Sequence, residues 1–391
     1  MKNTCTICLE GRIDSNNAAE TEKSLLAKAN ENPGAEIVLD AEKLDYISSA
    51  GLRVLMKLRK LAGKSIPIVN VSQEVYSILE VTGFIELFDV KKALREISVE
   101  GCEFIGSGGY GRVYRLDPET IVKLYNPGLS LEFVEREREI SQRAFLMGVP
   151  TAISYDVVKC GESYGVVYEM LNAKTIAQVI NENPGKVSEL CRGSAKLLKK
   201  LHAITPGADS GLPDRKKDLL QWAESITGIT EAESEKLIAF IRNIPERNTF
   251  LHGDYNSKNI MVRDGEFQLI DIGDAAIGHP VFDVVGLMLA YIILPQSQGG
   301  KYTDEMRRGL LGFDFDLAPK VWRVMCGTYF GLSSDDDVRV QTQKLMPYCM
   351  LMMSNHGFRL HHDEPEIVGG VLKILRERVI PSFEGAALLD F

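Results

Sequence analysis

Between residues 251 and 274 the chain reads LHGDYNSKNIMVRDGEFQLIDIGD, and no other stretch restricts the fold as much. Two short apolar runs, residues 260–262 and 267–270, flank Arg263-Asp264-Gly265-Glu266, a turn signal between strands. Each run carries a polar, acid-bearing loop on its outer end. His252, Asp254 and Asn259 lie before the hairpin turn, and Asp271 lies after it. A hairpin therefore gathers Asp254, Asn259 and Asp271 at one end of a sheet. Phosphoryl transfer demands such a set: one carboxylate to take the acceptor's proton, with an amide and a second carboxylate to hold Mg²⁺ on nucleotide phosphates. A plain surface hairpin would explain Asp and Asn as turn formers. It would leave the matching parts upstream without a reason.

Those parts begin at Gly106-Ser107-Gly108-Gly109-Tyr110-Gly111, flanked by strand-like residues 103–105 and 112–116. A lone G-x-G-x-x-G is shared with dinucleotide-binding folds. Here it joins two antiparallel strands rather than a strand to a helix. After the turn Asp117-Pro118-Glu119-Thr120, a third strand carries Lys123, and a helix rich in Glu and Arg spans roughly residues 130–147. Glu137 is the best candidate to pair with Lys123, because Ile140 and Ala144 follow on its face; spacing alone leaves Glu135 and Glu139 open.

Together these residues resemble the catalytic core of protein-kinase-like enzymes, in the form of aminoglycoside phosphotransferases and choline-type kinases. The patterns H-G-D-x-x-x-x-N and I-D-x-G stand intact at residues 252–259 and 270–273. The resemblance implies ATP and Mg²⁺ as cofactors, Asp254 as catalytic base, and Asn259 and Asp271 as metal ligands. It implies that Gly106, Ser107, Gly108, Gly109 and Gly111 cover the phosphates with Lys123. It also makes residues 166–171 the adenine-contacting hinge, through the backbone of Glu169 and Leu171. Residues 193–204 form a helix ending in the family's Leu201-His202-Ala203-Ile204, and Asp283 is the buried aspartate that braces the catalytic loop. Protein kinases acting on Ser or Thr usually carry a lysine two residues after the base; here that position is Asn256. No Ser or Thr lies between Asp271 and Ser297, so a phosphorylated activation loop is absent. The expected acceptor is a hydroxyl on a small molecule, with helices including residues 346–362 building its pocket. His356, His361 and His362 read as a packed or solvated helix end rather than a metal cluster. The run Asp335-Asp336-Asp337 reads as an acidic loop tip, with attraction of a cationic acceptor as the alternative.

With 391 residues and a 45% apolar fraction, the chain is long enough for two cores. The longest mostly apolar run, residues 281–294, is shorter than the roughly 18 residues of a membrane span and reads as a buried helix closed by Pro295. No signal-peptide pattern opens the sequence. Seven scattered cysteines suggest reduced thiols in a cytoplasm. Cys5 and Cys8 lie in an apparent strand and read as packing. A net charge of −9 argues against nucleic acid as the main partner. The first 98 residues carry 13 basic and 14 acidic side chains. Most of the acidity is therefore in the remainder, which suits a cationic acceptor and equally an ordinary solvated surface.

Residues 1–98 alternate short strands with amphipathic helices: strands at 4–9, 36–39 and 66–69, helices at about 15–30, 49–62 and from Ser72 to near Gly83. Residues 89–98 read as a short closing helix. Leu44–Leu55 (LDYISSAGLRVL), with Gly11-Arg12-Ile13-Asp14 and Leu79-Glu80-Val81-Thr82-Gly83-Phe84, resembles the STAS domain of anti-sigma factor antagonists. The resemblance implies an anti-sigma-factor-like protein partner and phosphorylation of Ser49 by a kinase. A helix N-terminus favours an added phosphate independently of family; as a plain structural element Ser49 would be the N-cap. Many antagonists carry an aspartate just before that serine; here the position is Ser48. Arg53, Lys57, Lys60 and Lys64 draw one basic stripe that either docks an acidic partner or is the wet face of the helix.

The expected architecture is thus α/β plus α+β: a small STAS α/β domain (1–98), then a bilobal protein-kinase-like fold (99–391; N-lobe 99–171, C-lobe 172–391). The absence of a Gly- or Pro-rich linker suggests a fixed arrangement. Three functions fit: a small-molecule kinase regulated or tethered by the STAS domain, a unit that phosphorylates Ser49, or a nucleotide sensor without transfer. The acceptor, ATP against GTP, and the oligomeric state are not legible.

Overall fold

The computed structural model describes residues 4–296, 303–389 and 391; Ser297, which bounds the Ser- and Thr-free segment, lies outside them. The chain forms two compact units, Met1–Ser98 with Val158–Gly161, and Val99–Val157 with Glu162–Phe391.

In the first unit β1 (Thr4–Ile13), α1 (Ala18–Glu31), β2 (Glu36–Ile47), α2 (Ser49–Ala62), β3 (Pro67–Val71), α3 (Gln73–Val81) and β4 (Asp89–Lys92) follow in turn. The strands pair in parallel in the order β1-β2-β3-β4, and the apolar residues of strands and helices share one core. Both β1 and β2 run longer than the apolar runs suggest, because Ile13 and Ile47 still pair at their far ends. Cys5 packs against the core, whereas Cys8, three residues on, is exposed on the opposite face. The helix expected at residues 89–98 is not formed. Phe88 and Val90 repeat with period two, and residues 89–92 complete the open edge of β3 instead. Arg95–Glu96 (β5) pairs with Val158 and Lys159.

The start of α2 also corrects the expectation. Ser48, not Ser49, is the N-cap, its Oγ accepting from the N–H groups of Ala50 (3.2 Å) and Gly51 (3.5 Å). Aspartate and serine are equally good caps, so Ser48 can hold this helix start as well as an aspartate would. Ser49 is left exposed as the first helical residue. Ser48→Ala is expected to cost about 1 kcal/mol, with Ser49→Ala near neutral; chemical denaturation of the full chain compares them. On the basic stripe, Lys57 bridges Glu22 at 2.8 Å and Lys64 approaches Glu36 at 3.7 Å.

In the second unit β6 (Glu103–Gly108), β7 (Gly111–Arg115) and β8 (Thr120–Tyr125) form an antiparallel meander. Helix α4 (Leu131–Leu146) follows, capped by Ser130, then β9 (Ser154–Cys160) and β10 (Ser163–Glu169), the latter beside β8. Past β11 (Lys174–Thr175) the unit is mainly helical: α5 (Ile176–Glu182), α6 (Val187–Leu201), α7 (Arg215–Ser225) and α8 (Glu231–Arg242). The loop carrying Asp254 and Asn259 follows β12 (Thr249–Leu251) and lies before the hairpin β13 (Ile260–Arg263) and β14 (Glu266–Leu269). Asp264 and Gly265 both have positive φ, the two-residue turn that matches strand twist. Strand β15 (Ala276–Gly278) and helix α9 (Val281–Met288) come next; the helical path continues through a π-turn at Leu289–Ile293 into α10 (Leu294–Gln296), so Pro295 does not end it. Helices α11 (Asp304–Leu311), α12 (Ala318–Phe330), α13 (Asp335–Leu360) and α14 (Pro365–Ile374) complete the unit. Asp335, Asp336 and Asp337 form the first turn of α13 rather than a loop tip, where carboxylates complement the positive helix end. Among the described residues no helix is long and apolar enough to cross a membrane.

Candidate active site

Strand β8 projects Lys123 and Tyr125 to one face, two residues apart. Opposite them α4 presents a buried stripe of Val134, Glu137, Ile140, Ser141 and Ala144. Glu137 is therefore the glutamate that meets Lys123: its Oε2 lies 3.4 Å from Lys123 Nζ and accepts a hydrogen bond of 2.5 Å from the Tyr125 hydroxyl. Glu139 is exposed and pairs with Arg143 on its own helix. Gly273 leaves room for this carboxylate, since a Cβ there would come 2.5 Å from Glu137 Oε1.

Lys123 Nζ also donates to Asp271 Oδ1 at 2.5 Å, joining β8 to the far side of the site. Burial opposes the ammonium, but Asp271 and then Glu137 outweigh it and raise the Lys123 pKa. Burial raises Glu137, against Lys123 and Tyr125. Asp271 stands in the left-handed region (φ 59°), a conformation that aspartate tolerates. Its side chain is 45% exposed.

The loop between β12 and β13 carries Asp254 on a closely tied backbone. Asp283 Oδ2 accepts from His252 N–H (2.8 Å) and Oδ1 from Gly253 N–H (2.9 Å). The Tyr255 hydroxyl donates to Ser194 O, and Ser257 N–H donates to the Tyr291 hydroxyl. Gly253 has φ +85°, and a Cβ there would sit 2.2 Å from Asp274 O, so only glycine fits. Two amides then fix the Asp254 carboxylate: Asn256 Nδ2 donates to Oδ1 at 3.0 Å and Asn259 Nδ2 to Oδ2 at 2.8 Å. Burial raises the Asp254 pKa, and Asp271 and Asp274 add to it, against His252 and the Asn256 hydrogen bond.

With its Nδ2 spent on Asp254, Asn259 has Oδ1 to offer a cation, and Asp271 has a carboxylate oxygen beyond the one facing Lys123. Among the described residues no three His, Cys, Asp or Glu side chains form a cage. Two hard oxygen donors completed by phosphate and water nevertheless fit Mg²⁺, which keeps much of its own shell. His361 pairs with Glu364 at 2.6 Å and His356 is exposed on α13.

The glycine loop is the β6–β7 hairpin. Gly106, Gly108 and Gly109 have open space where a side chain would stand, and Ser107 is exposed. Gly111 is required by the strand itself, since a Cβ would lie 2.1 Å from Leu124 O. Beyond β10, Glu169 N–H donates to Ile153 O (2.9 Å), while Leu171 O accepts from Ala173 N–H (2.8 Å). Leu171 N–H has no acceptor among the described residues.

Lys123, Glu137, Asp271, Asp254 and Asn259 are thus linked through short contacts or the shared loop, and Asp283 supports that loop from behind. Ser49 belongs to the first unit. Sequence reasoning passed over Tyr125 and Tyr291, and it named His202 and Asn256 without the contacts they make here. Tyr125 carried a usable signal, its two-residue spacing from Lys123; the others are tertiary.

A model described as "Phosphotransferase enzyme family" matches residues 101–319, and one described as "STAS domain" matches residues 2–97. The protein named "Putative anti-sigma factor antagonist BtrV" of Bordetella bronchiseptica is 37% identical over 87 residues, which are 21% of this chain and 73% of that protein. Among solved structures, a thermostable mutant of aminoglycoside phosphotransferase APH(4)-Ia aligns at 11% identity, over 72% of this chain and 93% of that one, with a TM-score of 0.46. A choline/ethanolamine kinase family protein from Mesorhizobium loti aligns at 15% identity, over 73% and 91%, with a TM-score of 0.43. With more than half of its length matched, the chain belongs to the phosphotransferase enzyme family, as a kinase-type enzyme with a STAS domain of the anti-sigma-factor-antagonist kind ahead of it in the sequence.

Proposed function

We propose that residues 99–391, as an N-lobe (99–171) and a C-lobe (172–391), transfer the γ-phosphate of ATP to a hydroxyl of a small acceptor in the cytoplasm. Residues 1–98 give regulation or protein-partner binding. The observation that carries this reading is the fixing of Asp254: each carboxylate oxygen takes one amide donor, and the loop is tied from behind. Asp254 is then aimed to take the acceptor's proton as its oxygen attacks. Lys123, held charged and anchored by Glu137, meets the nucleotide phosphates under the β6–β7 loop. The Leu171 N–H and the Glu169 backbone flank the base. Asn259 and Asp271 hold Mg²⁺, which neutralises phosphate charge. Asp274, whose backbone touches Gly253, adds a carboxylate to Asp254 and Asp271 and favours an acceptor bearing an amine.

A second reading has its own observation. Because Ser48 takes the cap, the Ser49 hydroxyl is exposed at a helix N-terminus, where phosphate is stabilised. The kinase unit then acts on Ser49 and switches binding of an anti-sigma-factor-like protein. Incubation of the full chain with Mg·ATP, followed by intact-mass and peptide mass spectrometry with Asp254→Asn as control, separates the readings. The first reading expects no phosphate on the protein and turnover only with an added amino alcohol, sugar or aminoglycoside. One phosphate on Ser49, missing in the control, would establish the second. Nucleotide binding with no transfer to either would leave a sensor and overturn both.

A further inference from the structure

Asp283 has a third partner besides the two loop amides. His202 Nε2 lies 3.1 Å from Asp283 Oδ2, and His202 Nδ1 lies 2.6 Å from the Tyr329 hydroxyl. The His202 and Asp283 side chains are 5% and 1% exposed. His202 caps the C-terminus of α6, Tyr329 stands on α12, and Asp283 on α9. Four separate segments therefore converge on one buried line that runs Tyr329, His202, Asp283, loop N–H.

A carboxylate cannot donate, so Nε2 carries a proton and donates to Asp283 Oδ2, while Nδ1 and the Tyr329 hydroxyl share the second bond. Without His202, Oδ2 keeps the His252 N–H but is free to rotate about the Asp283 side-chain bond. The carboxylate plane then stops being set for both loop amides at once. We infer that His202, oriented by Tyr329, is a positioning residue that fixes the Asp283 carboxylate on the His252 and Gly253 N–H groups and so aims the loop carrying Asp254. It touches no substrate and acts through Asp283. The inference rests on the reading of Asp254 as the base for its consequence, but not for its test, which reads the loop itself.

The experiment is amide hydrogen exchange on the full chain, resolved at His252 and Gly253, with Mg·ADP affinity measured beside it. In His202→Ala, exchange at these two amides should rise at least about tenfold, the worth of one hydrogen bond to a charged group. Peptides from α8 should stay within about twofold and Mg·ADP affinity within about twofold, because neither depends on one carboxylate rotamer. His202→Gln, whose Nε2 can still donate to Oδ2, should return exchange to within about threefold of the parent. Tyr329→Phe should raise exchange about threefold alone and add nothing in the His202→Ala background, since it acts through the ring that is gone. Should His202→Ala fail to fold, Tyr329→Phe and His202→Gln carry the test, each being nearly isosteric. Unchanged exchange at the two amides, a rise shared equally by α8, no rescue by glutamine, or additive effects of the two substitutions would each overturn the inference. If the exchange results hold and Asp254→Asn still transfers phosphate, the positioning stands and the reading of the base falls.

Discussion

Asp254→Asn is expected to lower phosphoryl transfer by roughly 10²–10⁴-fold, the usual contribution of a positioned base. The geometry adds a second effect. Both carboxylate oxygens accept from amide NH₂ groups, those of Asn256 and Asn259. An amide at 254 offers one acceptor and one donor, so one of these contacts becomes donor against donor. If Asn259 turns to relieve it, its Oδ1 leaves the position from which it serves a cation, and Mg²⁺ affinity falls as well. Titration of Mg·ATP binding against the transfer rate separates the two losses. Transfer within about threefold of the parent would remove Asp254 from the role of base.

The same residue sets a pH dependence. A base must be unprotonated, so the rate falls as pH drops through the Asp254 pKa. Burial, with Asp271 and Asp274 adding, raises that pKa above the ordinary 3.8, so the acid limb should stand above the range of a free aspartate. Asp274→Asn removes one of the raising charges and should move the limb to lower pH. An acid limb that is unmoved, or that moves up, contradicts this electrostatic account.

How much of this was legible depended on how local the signal was. The hairpin, the glycine loop and the Lys123 strand stand in short patterns whose geometry follows from residue type. Glu137 needed one more step, since Glu135, Glu137 and Glu139 are equally spaced choices until the stripe Val134, Glu137, Ser141, Ala144 shows which one is buried. Residues 89–92 were misread because a two-residue apolar alternation is too short to outweigh helix-forming neighbours; the open edge of β3 decided it. At Ser48 and Ser49 two adjacent serines offer equal caps, and backbone angles alone choose between them. The run at residues 335–337 looked like a tip because a helix start and an acidic loop share composition. The Tyr329–His202–Asp283 line joins residues 127 and 81 positions apart, and no local pattern announces it.

Asp283→Ala should produce the largest stability loss among the site residues. The change leaves the N–H groups of His252 and Gly253 and His202 Nε2 without their shared acceptor. Removing one member of a buried, hydrogen-bonded charge set costs about 3–5 kcal/mol. The loss should appear in denaturant unfolding of the second unit, and the transfer rate should fall with it because the Asp254 loop loses its anchor. Asp283 also shapes the acid stability. Burial alone would raise its pKa, but the hydrogen bond and charge of His202, then His252, override this and hold it below the ordinary 3.8. A carboxyl with a depressed folded pKa contributes stability that is complete above the unfolded value and lost as pH falls through the folded one. The parent should therefore lose stability below about pH 4 more steeply than Asp283→Ala, which has no such group to protonate. Parallel acid denaturation curves for the two proteins would show that Asp283 is not ionised in the fold. The two loop amides would then be held by a neutral acid, for which the cost of removal should be nearer 1–3 kcal/mol.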